Sequence, residues 1–350
     1  MSIVLQPSSI PVIDPFGIAA DPGLSHAHLA LDPVEVEPEL QRLERLSGTG
    51  GCVRLLCIRV IRHKPKRRFV LEYDVAVSTA TSERKLTLIG KMRARHDAHI
   101  AHRLLDTLWN AGFDANSNDG ISVPEPVGVI SRFNLWLQHK VPGRPLADLL
   151  SGSEGTVLAR RVVDAVHKLH IAAVPTERRH TLADEMRILH ERLPHVAQEH
   201  PGWSQRLECL LAACDRLGAS LPPPVECGIH RDFYADQVIV DGERLYLLDF
   251  DLYCAGDPAL DIGNFVGHVT EQSLRLSGDS LALSECEQAL VERYVELAGP
   301  ASRHAVAVYT TLTLVRHIYL STLFPERCAF TGKLLELCEK RLGASPSGRS

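Results

Sequence analysis

Residues 228–264 read GIHRDFYADQVIVDGERLYLLDFDLYCAGDPALDIGN, and this stretch decides how the rest of the chain is read. It opens on His230-Arg231-Asp232, and an amide, Gln237, stands five positions after the aspartate. Two short apolar segments, residues 237–240 and 245–248, flank Asp241-Gly242, a dipeptide that favours the tight turn of a β-hairpin. Such a hairpin returns Asp249 towards Asp232, so that seventeen residues of separation become proximity in space. Asp251 follows at once, and Gly256-Asp257-Pro258 with Asp261 marks the start of a helix.

Two carboxylates and an amide in this order suit phosphoryl transfer. That reaction needs a cation on the nucleotide phosphates, one or two metal ions bridging them, and a carboxylate that aligns the acceptor hydroxyl. Asp232 is the candidate to orient or accept the hydroxyl proton. Asp249 is the candidate ligand for Mg²⁺, a hard ion that prefers oxygen and keeps several waters. Gln237 offers a second oxygen ligand where an Asn is expected, one methylene longer. Asp251 supplies either a further metal ligand or a charge towards the acceptor. Asp261 reads as an anchor for the loop through backbone hydrogen bonds rather than as a group that touches substrate.

Upstream, three segments rich in Val, Ile, Leu and aromatic residues read as strands, at residues 52–62, 68–78 and 85–93. Lys91 lies near the end of the third, where a nucleotide-binding small lobe places its phosphate lysine. The helix expected at residues 97–112 carries Ile100, Leu104, Leu105 and Leu108 as one apolar stripe and contains no Glu. Asp106 is therefore the candidate to pair with Lys91, an ordinary surface aspartate being the alternative. Residues 122–130 and 132–140 read as two more strands, which makes an antiparallel five-stranded sheet with one helix. Residues of about 138–143 read as a hinge, with backbone groups of about 138–141 facing a nucleotide base, or else as an ordinary strand-to-helix turn. The turn at residues 63–67, His-Lys-Pro-Lys-Arg, is strongly basic, and it serves either to overhang phosphates or to protect a sheet edge. The glycine cluster at residues 47–51 reads as a turn into the first strand, or as a phosphate cradle.

At the amino end, residues 1–23 show no periodicity and read as an extended arm or a poorly ordered end. A helix follows, capped by Asp32 with Pro33 at its first position. Residues 1–47 are thus an N-terminal arm and helix, residues 48–140 a small nucleotide-binding lobe, and residues 144–343 a helical large lobe with the catalytic loop and acceptor pocket. A frayed tail at 344–350 completes the chain. Within the large lobe, helices are expected at 146–151, 156–171, 181–199, 203–217, 284–298, 303–324 and 331–342. Glu285, Glu287, Glu292 and Glu296 are carboxylates available to a cationic acceptor, with a spacing that equally suits an exposed helix face.

Composition excludes several classes. The chain has 350 residues, 45% hydrophobic and 23% charged, enough for one large or two medium cores. No window approaches the roughly 20 apolar residues of a membrane span. The first residues lack the pattern of a secretory signal, which leads us to expect a cytoplasmic protein. Nine cysteines without a Cys-x-x-Cys pair suggest reduced thiols, and a net charge of −5 argues against nonspecific nucleic-acid binding.

The segments HRDFYADQ, LLDFD and DPALDIGNF resemble the aminoglycoside phosphotransferase and choline kinase superfamily, which shares the protein-kinase-like fold. The aspartate after Leu-Asp-Phe, where protein kinases have glycine, is similar to the small-molecule branch. The resemblance implies an α+β, two-lobed fold with Asp232 as catalytic base, Asp249 and Gln237 as metal ligands and Lys91 on phosphate. It also implies ATP and Mg²⁺ as cofactors and a small-molecule hydroxyl (amino sugar, sugar or amino alcohol) as acceptor, with no nucleic acid or membrane partner. Gln for Asn and the missing Gly-rich loop motivate the alternative, a pseudokinase that binds nucleotide or a protein without efficient turnover. A protein kinase fits less well, because no Ala-Pro-Glu segment follows Asp249.

Overall fold

Alternation along residues 68–78 builds the first half of the molecule: Phe69, Leu71, Tyr73, Val75 and Val77 point into one core, while Glu72 and Asp74 point to the opposite face. The computed structural model describes residues 10–48 and 50–344. The expectations for residues 1–9, for Thr49 in the glycine cluster and for the tail from 345 onward fall outside the described residues. The chain divides into two compact units, Met1–Pro142 and Gly143–Ser350.

The sheet of the first unit contains β1 (Val12–Ile13), β2 (Cys52–Lys64), β3 (Arg68–Ser78), β4 (Glu83–Arg93), β5 (Pro126–Ile130) and β6 (Leu135–His139). Its order is β1-β2-β3-β4-β6-β5, six strands rather than the five expected. The extra strand is β1, which runs parallel to β2 with Val12 opposite Ile58. The expected strand at 122–130 begins only at Pro126, because Pro124 and Pro126 lack the N–H that a ladder requires. Likewise β6 begins at Leu135, after a turn that ends with Asn134 in the left-handed region at φ 49°.

The amino-terminal segment is not an arm over its described residues. Ile18, Leu24, Ala27, Ala30, Val36, Leu40 and Leu46 are buried in the same core as the strands, and Tyr73 Oη donates to the Ala30 carbonyl at 2.7 Å. Two short turns, Ile18–Ala20 and Ala27–Ala30, carry the first of these residues, too short to show a period in sequence. Helix α1 (Pro33–Gln41) follows, with the Asp32 side chain accepting from Val34 N–H. Glu37 and Gln41 of α1 then accept from the N–H groups of Leu55 and Val53 on β2. Full burial of each large apolar side chain stabilises by about 1.5–3 kcal/mol, so this cover is an integral layer. Asp21 also accepts from the Lys66 N–H and from His63 Nε2, both at 2.8 Å, which pins the basic turn between β2 and β3 to the cover.

Helix α2 (Ala98–Leu108), capped by Asp97, completes the first unit. It ends earlier than expected, in a wider turn Trp109–Phe113 where Gly112 takes φ 90°.

The second unit is mainly helical, with α3 (Gly155–Ile171), α4 (Leu182–Glu199), α5 (Ser204–Gly218), α6 (Ala259–Ser277), α7 (Ser284–Ala298), α8 (Ser302–Thr322) and α9 (Thr331–Leu342). A two-residue strand, Arg144–Pro145, precedes α3, and four short strands lie between α5 and α6: β7 (Cys227–Ile229), β8 (Val238–Asp241), β9 (Arg244–Leu247) and β10 (Cys254–Gly256). Strands β8 and β9 form the hairpin expected at Asp241-Gly242, with Gly242 at φ 53°. Helix α6 is the central element, buried along nearly its whole length against α8. A Cβ on Gly263 would lie 2.4 Å from Tyr309 Cβ, so only glycine permits this helix spacing. Among the described residues, no helix is long and apolar enough to cross a membrane.

Candidate active site

Asp261, in the first turn of α6, is fully buried and accepts three hydrogen bonds. Its carboxylate takes the N–H of His230 at 2.8 Å, the N–H of Arg231 at 2.6 Å and His170 Nε2 from α3 at 2.9 Å. Arg231 is held in the left-handed region at φ 69°, a conformation that a non-glycine residue keeps only when its surroundings impose it. Asp261 supplies that imposition. The next residue is Asp232, half-buried at the turn of the loop.

His230 ties this loop to the second carboxylate segment. Its Nε2 donates to the Leu248 carbonyl at 2.7 Å, and its ring lies against Phe233 and Phe250. Gln237 closes the other side, its backbone carbonyl accepting from Leu248 N–H at 2.9 Å. Asp249 therefore begins where both constraints end. It too is non-glycine and left-handed, at φ 59° and ψ 62°. Arg178 Nη1 donates to the Asp251 carbonyl at 2.7 Å, holding the turn Phe250–Leu252 in place. At the level of the backbone, the structure brings the segments of Asp232, Gln237, Asp249 and Asp251 together.

A second buried chain of polar groups supports the loop from behind. Asn264 donates to the Phe233 carbonyl at 2.9 Å and accepts from Arg316 on α8. Arg316 in turn pairs with Glu185 at 3.0 Å, and His180 Nε2 donates to the same carboxylate at 2.6 Å. Burial alone would raise the Glu185 pKa, but Arg316 and His180 outweigh it and hold the carboxyl at about 2. Sequence reasoning assigned no role to Asn264, Arg316, Glu185 or His180. Only Asn264 offered a signal, as a polar residue inside an apolar helix next to the loop.

Lys91 and Asp106 belong to the first unit. Lys91 on β4 faces the side of the sheet away from the core, opposite Trp136 on β6, and its Nζ lies 5.0 Å from the Trp136 ring centroid. The same face carries Glu72, bonded by Arg59 Nη1 and Lys140 Nζ at 2.6 Å each. Asp106 does not pair with Lys91. It forms an ion pair with Arg45 at 2.6 Å, so that α2 is joined to the amino-terminal cover. Arg45 comes from a segment whose contacts sequence did not foretell. Among the described residues, Lys91 has no ion-pair partner.

The donor set fits a hard cation. Asp249 supplies carboxylate oxygen, Gln237 an amide oxygen, and Asp251 a further carboxylate in the next turn. No group of three or more His, Cys, Asp or Glu side chains forms a complete metal cage among the described residues. An ion that takes the rest of its ligands from water and phosphate needs no such cage.

A sequence model of the phosphotransferase enzyme family (APH) matches residues 72–294. The chain belongs to this family. A search of curated proteins finds no matching relative. Among solved structures, a glucosamine kinase in complex with glucosamine, ADP and inorganic phosphate superposes with a TM-score of 0.58 at 14% identity, covering 87% of this chain and 84% of that one. A choline/ethanolamine kinase family protein from Mesorhizobium loti gives 0.53 at 16% identity, covering 89% and 95%. The amicoumacin kinase hAmiN, in complex with AMP-PNP, Ca²⁺ and Ami, gives 0.52 at 16% identity, covering 81% and 88%. These likenesses establish the kinase-like fold, with its sheet lobe and helical lobe.

Proposed function

We propose that the chain transfers the γ-phosphoryl group of ATP to a hydroxyl of a small molecule, an amino sugar, a sugar or an amino alcohol. The observation that carries this reading is the His230 clamp, which fixes the Asp232 loop to the segment that begins Asp249. Asp232 orients the acceptor hydroxyl and takes its proton as the bond to phosphorus forms. Lys91 contributes a positive charge to the phosphates of the nucleotide. Asp249, Gln237 and Asp251 are the residues that would hold Mg²⁺. When bound, that ion neutralises phosphate oxygens as charge moves during transfer. Family membership and the nucleotide complexes of the structural neighbours support the same reading.

The test begins with thermal stability. Nucleotide with Mg²⁺ at about 100 times its Kd stabilises a binding protein by about 2.7 kcal/mol, and Asp249→Ala is expected to abolish the Mg²⁺-dependent part. ATP consumption is then followed against a panel of hydroxyl compounds. Asp232→Asn is expected to lower turnover by about 10²-fold or more while keeping the nucleotide-dependent stabilisation. Full turnover by Asp232→Asn would remove that residue from the base role. Stabilisation by nucleotide without consumption for any acceptor would instead favour a pseudokinase, with Gln237 as the first residue to change to Asn.

A further inference from the structure

A cavity of about 250 Å³ opens in the second unit, bordered by the first turn of α4, the segment 221–226 that follows α5, and the approach to α6. None of its lining residues is a candidate for catalysis or for metal. Its walls are mostly apolar, from Leu182, Ala183, Leu221 and the prolines 222–224, with Tyr309 of α8 among them. Its polar lining is Arg179, His180, Thr181, Glu226 and Asp257.

These walls are fixed by bonds of their own. Ala255 of β10 accepts from the His180 N–H at 2.9 Å and donates to the Arg178 carbonyl at 2.8 Å, so that segment 178–180 is held against β10. Thr181 and Asp184 form the reciprocal cap of α4. The carboxylates nearby are matched by cations: Glu226 accepts from Arg179 Nε at 2.8 Å, Asp184 from Arg187 at 3.3 Å, and Glu185 from Arg316 at 3.0 Å and from His180. Asp257 differs. Its Oδ1 accepts from the Ala259 N–H at 2.9 Å and the Tyr309 hydroxyl lies beside it, yet among the described residues it has no ion-pair partner. A carboxylate has about four acceptor positions, so capacity remains for a donor on a ligand.

We propose that this cavity is a second ligand site, separate from the candidate active site, and that it takes a small organic cation, a primary ammonium on a compact apolar body. Asp257 binds the ammonium through a charge-assisted hydrogen bond, while the prolines and leucines cover the carbon frame. The volume lies just below the roughly 300–1,000 Å³ of sites for drug-sized ligands, which keeps the occupant small. The first turn of α4 taken alone would attract an anion, but the Asp184 carboxylate in its cap already meets that partial charge.

The test uses ring probes of similar shape and different charge: cyclohexylamine, cyclohexanol and cyclohexanecarboxylate. Amide NMR shifts of the full chain, titrated at constant pH and salt, give the location and the Kd for each. Cyclohexylamine is expected to bind saturably and about tenfold or more tighter than cyclohexanol, as one charge-assisted bond provides, with the moving amides at residues 179–183, 226 and 257. The carboxylate is expected to bind weakest. Asp257→Asn is expected to bring the amine down to the alcohol. Ala183→Trp, at an exposed lining position, is expected to fill the cavity and abolish the shifts for all the probes. Ranking and location are read on the unmodified protein, so neither depends on a variant folding. Equal affinities, a preference for the carboxylate, shifts centred elsewhere, no saturable binding, or amine binding that survives a folded Ala183→Trp overturns the proposal. Binding is read without nucleotide, so the outcome is independent of the phosphotransferase reading.

Discussion

The two units hold their candidate site residues in opposite ways. In the first, Lys91 sits on a sheet whose other face is sealed by apolar side chains of residues 18–46, so its position follows from hydrophobic burial. In the second, Asp232 sits on a loop held by buried polar groups: Asp261, His230, Asn264 and the chain through Arg316 to Glu185. Burial is non-directional and tolerates local rearrangement, whereas a hydrogen-bonded network fixes orientation and is expensive to leave half satisfied. The difference teaches that the charge-bearing sheet face needs only a rigid platform, while the loop of the candidate base needs an imposed backbone geometry.

The largest expected effect that could break this contrast comes from Asp261→Ala. It leaves two backbone N–H groups and one imidazole N–H without their acceptor, at about 1–3 kcal/mol each, for a total above about 3 kcal/mol. Calorimetry should show Tm lowered by about 6 °C or more, at about 2–4 °C per kcal/mol for a unit of this size. A shift below about 2 °C would mean that the loop is held by something else.

A second effect, of comparable size, is expected from pH. His317 has a folded pKa of about 3 against an ordinary 6.5, so the unfolded chain binds its proton first as the solution is acidified. Stability is therefore full above pH 6.5 and falls towards pH 3, by about 1.4 kcal/mol per pH unit for each such histidine. His268, lowered in the same direction, adds to this slope; the groups facing the pair are Glu271, Arg275, Arg316 and Arg327. Glu185 works in a lower window, since its stabilisation is present above 4.5 and is lost as pH falls towards 2. Denaturation midpoints between pH 6.5 and 4.5 should consequently flatten in His317→Gln, and an unchanged slope would refute the neutral pair.

The smallest effect sharpens the other side of the comparison. Tyr73→Phe removes the hydroxyl that joins β3 to the Ala30 carbonyl and should lower stability by about 1 kcal/mol in urea denaturation, with turnover unchanged. If this variant were more damaging than Asp261→Ala, polar bonding rather than burial would dominate in the first unit.

Much of the candidate site was legible because its elements are local. Asp241-Gly242 announced the hairpin, the alternation on either side announced β8 and β9, and Asp261 could be assigned as a loop anchor from its place at a helix start. The strands at β2, β3 and β4 were legible from β-branched and apolar runs. What escaped depends on partners far away in sequence. Asp106 was matched to Lys91 by analogy of position, yet Arg45 reaches it from a segment read as part of an arm and helix. Residues 10–31 lack any period because each short turn buries only one or two side chains, so nothing in the local pattern distinguishes a cover from a tail. The strand over 122–130 was overextended for a different reason, as its two prolines were outweighed by valine and isoleucine.

The sequence by itself determined the order of chemical groups in residues 228–264, the hairpin between them and the change from strand to helix along the chain, since these follow from turn chemistry and side-chain period. Tertiary structure alone decided that α6 and α8 meet closely at Gly263, that His268 and His317 pair behind Tyr234, and that Arg316 links Asn264 to Glu185. These are contacts between residues about 50 to 130 positions apart, and only packing selects them, because burying a polar group is tolerable only where its particular partner is already in place.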